Sequence, residues 1–65
     1  MMRYEDYLHL ADILVNDILT KRKMMSLNEV KEMFGLSSRQ LNKLVSIIHE
    51  NWRVYIKDNK LILEG

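Results

Sequence analysis

Between positions 38 and 46 the chain reads SRQLNKLVS. Ser38, Arg39, Asn42, Lys43 and Ser46 fall at i, i+1, i+4, i+5 and i+8, the spacing of one helix face, while Leu41, Leu44, Val45 and Ile48 recur on the other. The five polar residues are types that reach base edges and phosphate oxygens. The Arg fork matches guanine, the Asn amide matches adenine, and Lys and Ser serve bases or backbone oxygens. No acid interrupts this face before Glu50. A plain solvated face is the alternative, but such faces ordinarily mix in Glu or Asp, so the absence of acids favours contact with a polyanion. Two more cations, Lys57 and Lys60, flank an Asp58-Asn59 turn, where they would face each other at the tip of a hairpin. A nearby phosphate would relieve their repulsion; equally, exposed Lys residues protect a sheet edge from aggregation.

Two helix-start signals bracket the segment that must position this face. Ser26 with Glu29 and Ser37 with Gln40 each have the spacing of a capping box, with Met25/Val30 and Leu36/Leu41 as hydrophobic staples. Gly35 lies between them, where a helix must stop and turn through the left-handed region. The spacing predicts a helix over about 27–34, with Leu27, Val30, Met33 and Phe34 inward, and a second over about 38–50, closed by Asn51 in a left-handed cap. Helix, short Gly-containing turn and helix make a helix-turn-helix. After it, positions 52–64 alternate with period two about Asp58-Asn59, which predicts a two-stranded hairpin. Its register pairs Lys57 with Lys60, Ile56 with Leu61, Tyr55 with Ile62, Val54 with Leu63 and Arg53 with Glu64. Trp52, Val54, Ile56, Leu61 and Leu63 would then share the core face, and Arg53 and Glu64 would form a cross-strand ion pair.

Before these elements, about 3–22 reads as one long helix. Its apolar residues span an arc of roughly 180°, wider than the stripe one core needs. Either the helix packs on its own domain and on a second copy, through Tyr4, Tyr7, Leu10 and Leu14, or a small core simply wraps around it. Lys21, Arg22 and Lys23 complement its C-terminal dipole, with contact to phosphate as the alternative, and 25–27 can pair as a short strand.

The 65 residues, 48% hydrophobic, make one small domain, 1–65, that reads as a complete small protein. There is no Cys, no apolar run long enough to span a membrane and no signal-peptide pattern, so an intracellular, cytoplasmic protein is expected. The net charge is only +1, but it is unevenly placed: residues 1–19 sum to −3 and residues 20–65 to +4. Such a chain would meet a polyanion with one side. His9 and His49 stand far apart, and there is no Gly-rich phosphate loop, nucleophile triad or metal motif. No enzyme, cofactor or metal is therefore expected.

The order helix, short strand, helix, turn, helix, hairpin resembles the winged-helix branch of the helix-turn-helix superfamily. It is similar to small prokaryotic or viral transcription regulators of the ArsR-like and MarR-like groups. The residues that carry the resemblance are Ser26-Leu27-Asn28-Glu29-Val30, Phe34-Gly35-Leu36-Ser37, the Leu41/Leu44/Ile48 ladder and Trp52 leading into the hairpin. The fold it implies is mainly α, three helices plus a two-stranded wing over about 52–64. It also implies that helix 38–50 enters the major groove of double-stranded DNA while the wing lies on the backbone or minor groove. The expected contacts are Ser38, Arg39 and Asn42 to bases, Lys43, Ser46, Lys57 and Lys60 to phosphates, and Ser37 at the cap. The chain departs from those regulators in having no helix after the wing, so a homodimer would have to use the first helix. A winged-helix module that binds another protein is the alternative function.

Overall fold

The computed structural model describes residues 2–64, so the expected domain 1–65 extends one residue beyond it at each end. Its first helix, α1, is continuous over 4–22 but is built of α-helix at Tyr4–Ile13, a π-helical stretch at Leu14–Leu19 and a last α turn at Thr20–Arg22. Then come β1 (Met24–Ser26), α2 (Leu27–Phe34), α3 (Ser38–Asn51), β2 (Val54–Lys57) and β3 (Lys60–Leu63). The three strands form one antiparallel sheet in the order β1-β3-β2. Three helices with a wing hairpin on a three-stranded sheet make a small winged-helix-type fold, mainly α.

Sequence periodicity did not signal the π stretch in α1. There the Thr20 N–H donates to Val15 O, five residues back, rather than to Asn16 O. The carbonyl so released accepts the Thr20 hydroxyl at 2.7 Å, which keeps the wider turn free of an unmet acceptor. Leu14 and Leu19, five apart, are both fully buried, whereas Ile18 is half-buried. The wide apolar arc is used inside the domain: Tyr7, Ala11, Leu14, Val15 and Leu19 enter the core, and Leu8, Leu10 and Ile18 pack against it. Of the four residues expected to form a dimer face, Tyr7 and Leu14 are therefore covered by the chain's own core; only Tyr4 is exposed, with Leu10 half-buried.

α1 ends at Lys23, whose φ of 70° is left-handed and whose N–H bonds Leu19 O. β1 follows one residue earlier than the sequence suggested, with Met25 buried opposite Leu61. At α2 only half of the expected capping box forms. Ser26 Oγ accepts from Glu29 N at 3.1 Å, but Ser26 also belongs to β1, opposite Lys60. The Glu29 carboxylate turns instead to Arg22, which donates through both terminal nitrogens at 2.6 and 3.1 Å. This two-point bond holds Glu29 below the usual carboxylate range and raises Arg22 further. The pair is surface-exposed, so its effect is small, but its sign is fixed. A depressed carboxylate stabilises fully above the ordinary carboxylate range, and that contribution fades as pH falls through the depressed value. Urea midpoints followed into acid should show Glu29→Gln losing part of the acid-side decline while differing least from the parent in strong acid.

α2 ends in a Schellman turn: Gly35 N bonds Glu32 O, Leu36 N bonds Lys31 O, and Gly35 has φ +63°. A Cβ built on Gly35 meets nothing within 4 Å. Gly35→Ala should therefore cost only the left-handed backbone penalty, about 1–2 kcal/mol, in urea unfolding; no cost would mean the turn does not hold this conformation. Ser37 and Gln40 form the full capping box expected of α3.

Four side-chain placements differ from the sequence reading. Met33 is 46% exposed rather than inward, because α2 is short and only Val30 is fully covered. Ile47, not expected in the core, is buried. Asn51 stays helical, with its amide donating to Ile47 O at 2.8 Å, and the chain leaves α3 through an extended Trp52. Ile56 is 45% exposed because the hairpin tip runs past the core that covers Val54 and Leu61. The register itself is as expected from Val54↔Leu63 to Lys57↔Lys60, with Asp58 and Asn59 both at positive φ, as a tight primed turn requires. At Arg53 and Glu64 the strands are joined by the Glu64 N to Arg53 O bond at 2.9 Å. Their side chains form no ion pair; Arg22–Glu29 is the one salt bridge among the described residues.

Candidate nucleic-acid interface

The core face of α3 fixes where its other face points. Leu41, Leu44, Val45, Ile47 and Ile48 are buried against α1 and the sheet, so Ser38, Arg39, Asn42, Lys43 and Ser46 are all exposed. The capping box pins the first turn, and at the other end His49 Nδ1 lies 3.0 Å from Val54 O, which ties α3 to β2 and requires the ring proton on Nδ1.

Ser37, Arg39, Asn42, Lys43 and Ser46 line one open groove together with Gln40, Met2 and Tyr7. The groove runs between α3 and the amino end of α1. Gln40 was read from the sequence only as a capping residue, and its Oε1 is held by Ser37 N at 2.9 Å. Met2 and Tyr7 were missed as site residues, since nothing local relates them to α3; they arrive through the packing of α1 on α3. Ser38 does not line the groove. Its hydroxyl accepts from Lys31 Nζ at 2.9 Å, which places it toward α2 and adds Lys31, another cation, to that flank.

The wing lysines form a second group, not part of the groove. Lys57 and Lys60 sit opposite each other and, by strand alternation, share the outer sheet face with Ser26. Asn59 O accepts from Leu27 N at 3.0 Å, so the wing tip is fastened to the start of α2. Arg39, Lys43, Lys57 and Lys60 are exposed, and none has a carboxylate partner among the described residues. Four cations without internal partners can take an external anion without first breaking an ion pair. Among the described residues no group of three His, Cys, Asp or Glu is gathered that could hold a metal, and no helix is long and apolar enough to cross a membrane.

Comparisons with family models, with curated proteins and with solved structures found no match.

Proposed function

We propose that this protein is a DNA-binding transcriptional regulator, with α3 lying in the major groove and the wing on the backbone. The observation that carries the reading is the α3 face: Arg39, Asn42, Lys43 and Ser46 are exposed along one groove, without an acid among them and without an internal ion pair. A helix of this length presents such residues to base edges, while Lys57 and Lys60 contribute charge from a separate element. Arg39 and Asn42 are the base readers and Lys43, Ser46, Lys57 and Lys60 the phosphate contacts; Ser37 orders the helix start, and Ser38 serves with Lys31. A two-fold dimer through α1 would have to be built on Tyr4 and Leu10 without Tyr7 and Leu14.

Titration of random-sequence duplex between about 50 and 200 mM salt tests this directly, because each phosphate neutralised adds about −0.9 to the slope of log affinity against log salt. A slope of about −3 is expected from Lys43, Lys57 and Lys60, the three cations assigned to phosphates; a flat line or no binding at the low-salt end refutes the proposal. In that event a protein-binding module takes its place, favoured by one observation. Met24, Ile62 and Tyr55 fall in one row across the outer face of the three strands, with Met24 and Tyr55 both more than 40% exposed.

A further inference from the structure

The groove beside α3 is more than a row of polar contacts. Besides its cationic and amide groups, it is lined by Met2, half-buried at the edge of the core, and by Tyr7, almost wholly buried. An apolar wall facing Arg39, Asn42, Lys43 and Ser46 suits a ligand that brings charge and a small apolar group together. Duplex DNA brings that pair at one kind of place. In the major groove each A·T pair sets the adenine N6/N7 edge, which an Asn amide matches, beside the thymine C5-methyl group, while the phosphates lie to either side. We infer that the groove between α1 and α3 reads a thymine methyl group, with Asn42 on the adenine edge and Met2 supplying the apolar contact.

The inference rests on the DNA-binding reading and adds a specificity to it. It assigns sequence discrimination to the segment that leads into α1, outside the helix-turn-helix. It also gives Met2 a function apart from its packing on the core. Thioether and methyl are well matched, since Met is unbranched and adapts its rotamers to a small apolar surface.

The experiment starts from the duplex that the full chain selects out of a random pool. Each thymidine in that duplex is replaced in turn by deoxyuridine, which removes the methyl and leaves every hydrogen bond in place. At one position the affinity should fall by about fourfold, the equilibrium equivalent of uncovering one methyl-sized group. Met2→Ala should bind the thymidine and deoxyuridine duplexes alike, and Met2→Leu should keep much of the difference. If Met2→Ala does not fold, Met2→Gln takes its place, since it keeps the length of the side chain and makes its end polar. The inference is overturned if no thymidine in the selected duplex matters, if that duplex contains no A·T pair, or if discrimination survives in the Met2→Ala or Met2→Gln protein. Failure to bind any duplex overturns the DNA-binding reading itself, an outcome distinct from tight binding that ignores the methyl group.

Discussion

Leu44→Ala is expected to remove a fifth or more of the protein's stability. A domain of this length holds roughly 3–10 kcal/mol in all, and truncating a fully buried Leu costs about 2–5 kcal/mol, since the removed atoms leave a cavity as well as losing their transfer energy. Leu44 has no exposed surface and stands among Leu14, Leu19, Val30, Ile48 and Leu61, contributed by α1, α2, α3 and the sheet. No disulfide cushions the loss. Thermal melting followed by circular dichroism should show a drop of at least about 8 °C, given about 4–8 °C per kcal/mol for a domain of this size. Met33→Ala is the matched control. By helical spacing Met33 belongs to the inner face of α2, but it is nearly half exposed, so its truncation should stay within about 0.5 kcal/mol of neutral. Equal losses at the two positions would contradict the packing described above.

Met33 and Leu44 also mark where the sequence is legible and where it is not. Signals that act within a few residues were readable: the Ser37/Gln40 box, Gly35 in its left-handed turn, and the Asp58-Asn59 turn that sets the hairpin register. Each is a local bargain between one side chain and the backbone beside it, so tertiary structure has little to change. What could not be read depends on competition between elements. Glu29 has the spacing of a capping residue but takes Arg22, which reaches it from the last turn of α1 with a two-point bond. The π stretch in α1 carries two fully buried residues five apart, Leu14 and Leu19, and a residue pattern that fits an α-helix equally well cannot announce it. The apolar arc of α1 gave the right width and left its partner open; the core of the same chain takes up Tyr7 and Leu14.

The candidate site divides in the same way. Every polar residue picked from the α3 periodicity is exposed, because amphipathic spacing on a long helix fixes both faces at once. Which of them act together was not readable. Ser38 is drawn aside by Lys31, across the turn, while Met2 and Tyr7 join the groove from the far end of the chain. The wing lysines were correctly paired with each other, but the bond from Leu27 N to Asn59 O, which fixes the tip to α2, follows from β1 being the third strand.

Arg39→Ala should weaken binding to the preferred duplex by about 1–3 kcal/mol, roughly fivefold to more than a hundredfold, and relax the base preference at one position. The size of the loss alone does not separate base reading from simple attraction, since Arg39 is also a charge. Arg39→Lys separates them. Lysine keeps the charge and loses the planar fork that engages two acceptors of one guanine. Random-sequence affinity and the salt slope should therefore survive Arg39→Lys nearly intact, while the preference at that position falls toward the value in Arg39→Ala. Lys57→Ala should do the reverse: weaker binding to every duplex by a similar factor, a salt slope shallower by about one, and an unchanged base preference. Because Lys57 faces Lys60 across the hairpin, removing it also relieves a like-charge pair, so the free protein should be no less stable and the binding loss cannot be ascribed to unfolding. If Arg39→Ala binds the selected and random duplexes as the parent does, Arg39 is not a base reader. If Arg39→Lys retains the full preference, Arg39 acts as a charge alone, and the recognition of sequence must come from Asn42 and the α1 side of the groove.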